Sequence, residues 1–320
     1  MKSPETAFLS RRLMNDKNRG MSLRSRLVLG SAQLGMPYGI KNRTGQPFLE
    51  EAISIVEEAW RGGIVEFDTA QDYGTSEAVL GQIFSALGIT EQAYVISKIS
   101  TSCEAGNTEK LDLALQRSLK YLGVKKLGGL LLHDERQLDF WPRGLRQWFL
   151  SCRNNGLIKN AGISVYSPSR ALVALATEGI DLVQIPSNIL DRRFDAAGVF
   201  KMAEDQGKTV YVRSVFLQGA LLMSLGELPD RVNFLRDTVE KVQVMAKDLG
   251  RSVEELCLGY VMRKWPSAKI VLGAETADQI RFNIRLAGQD YSSLPIRQIE
   301  EGLGNAEERI VNIAQWPQKI

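Results

Sequence analysis

Apolar residues follow two alternating patterns along the chain. Short continuous apolar runs predict strands buried on both faces, as in a parallel sheet. The segments between them place apolar residues at i, i+3, i+4 and i+7, which predicts helices with one buried face, as at Ala52, Ile55, Val56 and Ala59. The eight predicted strands are 27–32, 65–68, 95–99, 129–133, 161–164, 182–186, 210–214 and 270–272.

Eight strand–helix units predict an α/β fold, a closed (β/α)8 TIM barrel in a single domain. Such barrels typically take roughly 250 residues, which the stretch 27–290 supplies, leaving a C-terminal helix over 296–313. The glycine fingerprint of a doubly wound dinucleotide domain and the phosphate-binding P-loop are both missing from the sequence. We therefore predict a barrel over 26–320, preceded by an extension over 1–25.

Charge is distributed unevenly along the chain. The net charge is +3, but residues 1–26 hold seven basic and two acidic residues, so the remainder is slightly acidic. A slightly acidic body argues against a nucleic-acid partner, because duplex binding draws on clustered Lys and Arg. The basic segment lacks the apolar stretch of a secretory signal. We expect it to be a disordered extension, with a mitochondrial-type signal as the alternative.

The chain has few residues that bind metals or form disulfides. Cys103, Cys152 and Cys257 are widely separated and lack CxxC spacing, which favours reduced thiols and a cytoplasmic location. The single histidine, His133, excludes a site built on two histidines. No segment has the ~20 apolar residues of a membrane span. We predict no metal site and no membrane partner.

Four chemically active side chains follow the ends of predicted strands. Asp68 ends the second strand with Tyr73 in the next loop, Lys98 lies in the third, and His133 ends the apolar run Leu130-Leu131-Leu132. Catalytic side chains of barrel enzymes come from the carboxyl ends of the strands. Each residue alone could be structural, but their order along the chain favours one shared site.

These residues resemble the aldo-keto reductase family, including bacterial members, from Leu27 to Leu286. The family signature is matched by Gly63-Ile64-Val65-Glu66-Phe67-Asp68-Thr69-Ala70-Gln71-Asp72-Tyr73-Gly74, followed by Ser76-Glu77 and Leu80-Gly81. Its lysine strand resembles Val95-Ile96-Ser97-Lys98 and its histidine strand Leu130-Leu131-Leu132-His133. The resemblance implies an NAD(P)H-dependent oxidoreductase that reduces an aldehyde or ketone to an alcohol, or catalyses the reverse.

The chemistry of carbonyl reduction gives each catalytic residue a role. The alkoxide formed on reduction needs a proton, and Tyr73 is the expected general acid. We expect the ammonium of Lys98 to lower the pKa of the Tyr73 phenol and Asp68 to keep Lys98 charged. His133 would donate to the carbonyl oxygen or orient it.

The resemblance also implies which residues hold the nicotinamide dinucleotide, NADP(H) or NAD(H). Ser164 and Gln184 match the carboxamide contacts, and a loop after the seventh strand matches the pyrophosphate contacts. The expected cofactor-binding residues are Ser164, Gln184, Arg213, Ser214, Phe216, Leu217, Gly273, Glu275, Gln279 and Asn283.

Three positions depart from the family pattern. Val165 replaces an amide-binding Asn, and Arg213 replaces the aromatic residue that usually stacks on the nicotinamide. Glu275 stands where a group that binds the 2′-phosphate is common, and a carboxylate there accepts hydrogen bonds from free ribose hydroxyls and repels phosphate. We therefore expect NAD(H) to serve as well as NADP(H) or better, unless Arg281 reaches back to bind the phosphate.

The substrate is expected to be a small-molecule carbonyl or alcohol, and the opening Leu29 to Ile40 suggests a sugar-derived one. Trp141, in a loop at the barrel mouth, is either a platform for the substrate or a packed anchor. Two other functions stay open: a cofactor-binding regulatory subunit without turnover, and an isomerase or lyase on the same barrel.

Overall fold

The computed structural model of the protein describes residues 26–317. Within them, eight parallel strands close into a barrel in chain order, and the last strand pairs with the first. The predicted (β/α)8 barrel is therefore confirmed. The strands are β1 Leu27–Gly30, β2 Glu66–Asp68, β3 Tyr94–Ile99, β4 Leu127–Leu132, β5 Ile158–Ser164, β6 Leu182–Pro186, β7 Thr209–Arg213 and β8 Lys269–Leu272.

Helices connect the strands and cover the outside of the barrel. The predicted face of the helix after β1 is confirmed, because Ala52, Ile55, Val56 and Ala59 are all buried. The α-helices are α1 Ala32–Gly35, α2 Leu49–Arg61, α3 Ser76–Leu87, α4 Thr108–Leu122, α5 Leu145–Asn154, α6 Pro168–Ala176, α7 Arg193–Ala196, α8 Val199–Asp205, α9 Arg236–Asp248, α10 Val253–Lys264, α11 Ala277–Ala287, α12 Ile296–Leu303 and α13 Glu308–Val311. Short 3₁₀ helices cover Glu135–Arg143, Leu217–Leu222, Leu225–Glu227, Asp230–Leu235 and Ile313–Gln315.

Seven of the eight predicted strands differ from the observed ones by one to three residues at an end; β4 begins at Leu127 rather than 129, for example, and β5 at Ile158 rather than 161. Two of the predicted boundaries are wrong for a clear local reason. The first strand ends at Gly30 rather than at 32, because the helical turn α1 begins directly after Ser31. A C-terminal helix is present, but it ends at Leu303 rather than 313. Gly304 ends it with φ 64° and ψ −164°, a conformation open to glycine that no helix can continue. A second short helix, α13, follows this break.

The predicted extension over 1–25 lies outside the described residues, and its structure stays a prediction. Between residues 26 and 317, no helix combines the length and the hydropathy needed to cross a bilayer. The same range contains no group of three or more His, Cys, Asp or Glu side chains arranged to hold a metal ion.

The alternation of side chains along each strand determines which residues face the barrel interior. A layer of apolar and aromatic side chains fills the barrel: Val28, Ile96, Leu131, Leu182, Tyr211 and Val271. Because side chains on a strand alternate between its two faces, residues two positions further along face the same interior, one layer nearer the carboxyl ends. This next layer contains Gly30, Lys98, His133, Gln184, Arg213 and Gly273.

Candidate active site

The predicted catalytic lysine is buried near the carboxyl ends of the strands. The Lys98 side chain is 0% exposed, and its Nζ donates to both carboxylate oxygens of Asp68 at 2.8 Å and to the backbone oxygen of Thr69 at 2.8 Å. The strand register explains the pair, because Asp68 lies beside Ile96, two residues before Lys98 on the same face. A buried ammonium is tolerated here because a carboxylate compensates it.

Tyr73 lies directly over this ion pair. Its hydroxyl is 3.4 Å from Lys98 Nζ, and the same Nζ lies 4.7 Å from the centre of the Tyr73 ring. The ring of His133 contacts that of Tyr73 edge-on, with 5.6 Å between the centroids. The structure therefore brings Asp68, Tyr73, Lys98 and His133 together from three strand ends, in the arrangement that the sequence suggested.

The electrostatic effect on Tyr73 differs from the expected one. Burial raises the pKa of the Tyr73 phenol, the Asp68 carboxylate raises it further, and Arg213 opposes both. The net direction of the Tyr73 pKa is therefore upward, whereas the sequence analysis expected a lowered value. Lys98 binds both oxygens of Asp68, so the phenol faces a nearly neutral ion pair rather than a free cation, and the loss of solvent dominates.

Close backbone packing holds the Tyr73 loop in place. A Cβ atom at Gly35 would clash with the carbonyl oxygen of Tyr73 and with Ser76, and one at Gly74 would clash with the carbonyl oxygen of Gly35. Hydroxyl groups add to the packing: Ser76 Oγ lies 2.7 Å from Ser31 Oγ and 2.9 Å from Thr69 Oγ1. Gly35 and Gly74 therefore let the Tyr73 loop lie against the segment after β1.

Asp72 is a member of this site that the sequence interpretation missed. Its Oδ2 lies 3.1 Å from His133 Nδ1, and the carboxylate also accepts from Ser100 Oγ at 2.5 Å and from the Thr101 amide at 2.8 Å. The hydrogen bond from His133, together with these donors, holds the pKa of Asp72 well below its usual range. The sequence did show a carboxylate directly before Tyr73. It was missed because the same segment is also typical of an ordinary turn.

Most of the predicted cofactor-binding residues line one open groove that also contains Asp68 and Tyr73. The predicted residues along this groove are Arg213, Ser214, Phe216, Gly273, Glu275, Gln279 and Asn283. Ser164, Gln184 and Leu217 are 2%, 0% and 0% exposed and do not line the groove itself. Tyr38 and Lys41 also line it and were not predicted.

Two buried polar atoms near Asp68 and Tyr73 lack partners within residues 26–317. Gln184 donates through Nε2 to Asp68 Oδ1 at 2.7 Å, but its Oε1 is buried without a hydrogen bond. Arg213 Nη2 is likewise buried and unpaired, while the guanidinium stacks on the ring of Tyr166 at 4.3 Å. Buried polar groups are normally hydrogen-bonded, so exceptions beside a groove indicate a ligand.

The loop after β7 is strained in a way that suits ligand binding. Within residues 26–317, only three residues other than glycine have positive φ, and all belong to this loop: Ser214 at 64°, Leu217 at 47° and Gln218 at 54°. Neighbouring loops hold it, since Asn188 Nδ2 donates to the Ser214 oxygen at 3.1 Å. Such strain persists where the surroundings enforce it, commonly at ligand-binding loops.

The far end of the groove is formed by the segment after β8. Glu275 is half-buried there, and its amide donates to Gln279 Oε1 at 2.7 Å. Burial raises the pKa of Glu275 and Lys41 lowers it. Arg281 does not reach back to the groove, because it pairs with Glu58 at 3.1 Å and with Asp278 at 2.5 Å.

Trp141 is a packed anchor rather than a substrate platform. It is 4% exposed, its Nε1 donates to the Glu178 oxygen at 3.0 Å, and its ring packs on Phe149.

Comparison with known proteins identifies the family. The Aldo/keto reductase family model matches residues 26–302. L-glyceraldehyde 3-phosphate reductase of Escherichia coli is 23% identical over 81% of this chain and 85% of its own length. The NADH-specific methylglyoxal reductase of the same species is 23% identical over 87% of this chain and 95% of its own.

Solved structures agree on the fold. An aldo-keto reductase from Bacillus halodurans, in its holo form, superposes with a TM-score of 0.72 at 21% identity, covering 89% of this chain and 95% of its own. Two findings lead to the same conclusion. The family model matches most of the chain, and the barrel brings together Asp68, Tyr73, Lys98 and His133. The chain belongs to the aldo/keto reductase family of NAD(P)-dependent oxidoreductases that act on carbonyl compounds.

Proposed function

We propose that the protein reduces a small aldehyde or ketone to an alcohol, or catalyses the reverse, with Tyr73 as the general acid and base. The observation that carries this proposal is the Tyr73 hydroxyl at 3.4 Å from Lys98 Nζ, beside an open groove. A general acid must lie within hydrogen-bond reach of the oxygen that it protonates. The phenol meets this condition for a carbonyl that enters from the groove.

The groove fits a nicotinamide dinucleotide. Arg213 lines the groove and has an unpaired Nη2 that can donate to the cofactor, and the strained loop at Ser214 and Phe216 offers backbone donors for a pyrophosphate. Glu275 and Gln279 lie where they would meet the adenosine. When bound, this cofactor supplies a hydride to the carbonyl carbon.

The residues of the chain handle the proton. Tyr73 Oη gives its proton to the carbonyl oxygen as that oxygen gains negative charge, and the phenolate left behind lies beside Lys98 Nζ. Asp68 holds the ammonium in position through both carboxylate oxygens. Solvent then returns a proton to Tyr73. In alcohol oxidation the same steps run backwards, with the phenolate as base.

The raised pKa of Tyr73 predicts how each direction depends on pH. Reduction uses the phenol, and burial keeps this phenol protonated beyond the range of an ordinary tyrosine. We expect kcat for reduction to stay level between about pH 7 and 10, whereas kcat for alcohol oxidation should rise with pH as more phenolate forms. Steady-state rates in both directions across this range test the prediction. A reduction rate that falls steeply within it would contradict the raised pKa.

We further propose that NAD(H) serves the enzyme at least as well as NADP(H). Glu275 places a carboxylate at the adenosine end of the groove, and Arg281 is already paired with Glu58 and Asp278. Lys41 lies at the same end, where its Nζ donates to the Leu222 oxygen at 3.2 Å. The carboxylate favours free ribose hydroxyls over a 2′-phosphate.

Glu275→Gln tests this preference, because it removes the charge and keeps the shape. We expect kcat/KM with NADPH to rise roughly fivefold, since relief of one charge repulsion near a surface is worth about 1 kcal/mol. The rate with NADH should change little. Asp278→Asn is the matched control, because this carboxylate pairs with Arg281 outside the groove. A strong preference of the wild type for NADPH would contradict the proposal.

A cofactor-consumption screen over sugars, keto acids and aldehydes tests the proposed function as a whole. Carbonyl-dependent oxidation of NADH or NADPH, with an equal amount of alcohol formed, would support it. Cofactor binding without turnover would instead favour a regulatory subunit, and conversion of substrate without net cofactor use would favour an isomerase or lyase. We propose the cytoplasm as the site of action, since Cys103, Cys152 and Cys257 are free thiols.

A further inference from the structure

Arg213 brings a positive charge to the groove without a carboxylate partner. Its Nη1 donates to Ser214 Oγ at 3.4 Å, its guanidinium lies 4.3 Å from the centre of the Tyr166 ring, and its Nη2 is buried without a hydrogen bond. Among residues 26–317, no Asp or Glu forms an ion pair with it. A guanidinium stays protonated in proteins. Enclosing such a charge without a partner lowers stability, and proteins accept this mainly at functional sites.

The charge of Arg213 acts at the end of the groove where the carbonyl is proposed to react. Arg213 lines the groove together with Tyr73 and Asp68. Burial and Asp68 raise the pKa of the Tyr73 phenol and Arg213 lowers it, so the two side chains are close enough for the charge to reach the phenol. Asp68 does not cancel this charge, because Lys98 Nζ already binds both of its oxygens at 2.8 Å. Asp72, another carboxylate that acts on Tyr73, does not line the groove.

Hydride transfer changes the charge of the nicotinamide ring. In carbonyl reduction a C–H bond of the reduced ring breaks, and its hydrogen leaves with both electrons to form a C–H bond at the carbonyl carbon. Tyr73 gives one proton to the carbonyl oxygen, so the alcohol is neutral and the ring is left with one positive charge. The carbonyl carbon must meet the ring while its oxygen meets Tyr73 Oη. The ring is therefore expected within reach of the Arg213 charge, neutral before the reaction and cationic after it.

We propose that Arg213 makes the groove select the reduced cofactor over the oxidised one. Its charge repels the cationic ring and has no such effect on the neutral ring. The adenosine and the pyrophosphate are the same in both forms, so contacts of Lys41 and Glu275 at the far end do not discriminate between them. The oxidised cofactor then leaves readily after each reduction and inhibits the enzyme little. This inference rests on the proposed reductase function, and it gives Arg213 a role that an uncharged aromatic residue at this position could not perform.

Binding of the two redox forms without substrate tests the inference directly. Kd is measured by calorimetric titration for NADH and NAD⁺, and for NADPH and NADP⁺, with the wild type and with Arg213→Met, which removes the charge and keeps much of the length. We expect the ratio of Kd for the oxidised form over the reduced form to be about ten or more in the wild type, and to fall about tenfold in Arg213→Met. Contacts that both forms share cancel in this ratio. A tenfold change corresponds to about 30 mV in the reduction potential of the bound two-electron couple.

Two control variants separate charge from other effects. Arg213→Lys keeps a positive charge at the same place and should keep most of the wild-type ratio. Lys41→Met removes the cation that lines the far end of the groove and acts on Glu275. This change should alter Kd for both redox forms together and leave their ratio as in the wild type. A ratio in Arg213→Lys as low as in Arg213→Met would show that charge is not the cause and would overturn the inference.

The stability of Arg213→Met is measured by urea denaturation without cofactor, which also shows that the variant is folded. No carboxylate loses an ion-pair partner in this variant, so its free energy of unfolding should equal or exceed that of the wild type. Lys98→Met, which leaves the Asp68 carboxylate unpaired, should be much less stable. A loss in Arg213→Met as large as that in Lys98→Met would contradict the premise that the Arg213 charge is unpaired.

Product inhibition gives a second readout during turnover. The inhibition constant of the oxidised cofactor, relative to Kd of the reduced one, should fall by the same factor in Arg213→Met as the ratio of the two Kd values. Equal ratios in wild type and Arg213→Met, or a wild type that binds both redox forms equally, would overturn the inference and leave the reductase function in place. Absence of binding of either form would overturn the proposed function and the inference together.

Discussion

Replacing Tyr73 with phenylalanine is expected to lower kcat/KM for carbonyl reduction by about 10² to 10⁴-fold, the usual contribution of a positioned general acid. The substitution removes one hydroxyl and little volume from a ring that packs against His133 and lies over Lys98. Cofactor binding should be retained, because the predicted cofactor contacts lie elsewhere in the groove. Steady-state kinetics, with fluorescence titration of the reduced cofactor, measures both quantities.

Tyr166→Phe is the matched control for this experiment. Its ring supports the Arg213 guanidinium at the same barrel mouth, and within residues 26–317 the tyrosine hydroxyl within hydrogen-bond distance of Lys98 Nζ is that of Tyr73, not that of Tyr166. This variant should keep most of the wild-type rate. If Tyr73→Phe also kept it, Tyr73 would not be the proton donor and the proposed mechanism would be wrong.

Lys98→Met is expected to reduce both stability and activity. The ammonium is 0% exposed and compensates the Asp68 carboxylate, which is itself only 5% exposed. Removing one partner of such a buried pair leaves an uncompensated charge and lowers the free energy of unfolding by about 3–5 kcal/mol. Reduction should be slowed as well, because the Tyr73 phenolate would form beside an unpaired carboxylate. Urea denaturation and steady-state kinetics measure the two effects.

The double variant Asp68→Asn/Lys98→Met separates the two effects. Neither charge is then buried alone, so much of the lost stability should return, whereas activity should stay low. The interaction energy from the double-mutant cycle reports the coupling of the pair. If the free energy of unfolding of the single Lys98→Met variant equalled that of the wild type, the ion pair would not stabilise the barrel.

Much of the fold was predictable because burial follows a local period. Each apolar strand and each helix face such as Ala52, Ile55, Val56 and Ala59 can be recognised within a few residues of sequence. Asp68, Lys98 and His133 lie at the ends of successive strands. Because neighbouring parallel strands end at the same edge, the sequence predicted that these residues lie at the same mouth of the barrel. The boundaries of the elements were less predictable. A helical turn ends the first strand at Gly30, and Gly304, with its positive φ, ends the C-terminal helix α12 at Leu303.

Other features depend on contacts between segments that lie far apart in the chain. The pairing of Asp72 with His133 spans 61 residues, and that of Arg281 with Glu58 spans 223. No spacing rule in the sequence predicts such pairs. The sequence left open whether Trp141 is a substrate platform or a packed anchor. Its hydrogen bond to the Glu178 oxygen shows that it is an anchor.

The sequence by itself therefore determined the barrel, the position of its mouth and the four side chains that meet there. Only the tertiary structure decided the electrostatic state of those side chains, namely the raised pKa of Tyr73 and the hydrogen bond between Asp72 and His133. The physical reason is that strand and helix periods are properties of neighbouring residues. A pKa or a tautomer instead depends on desolvation and on partners that the closure of the barrel brings together.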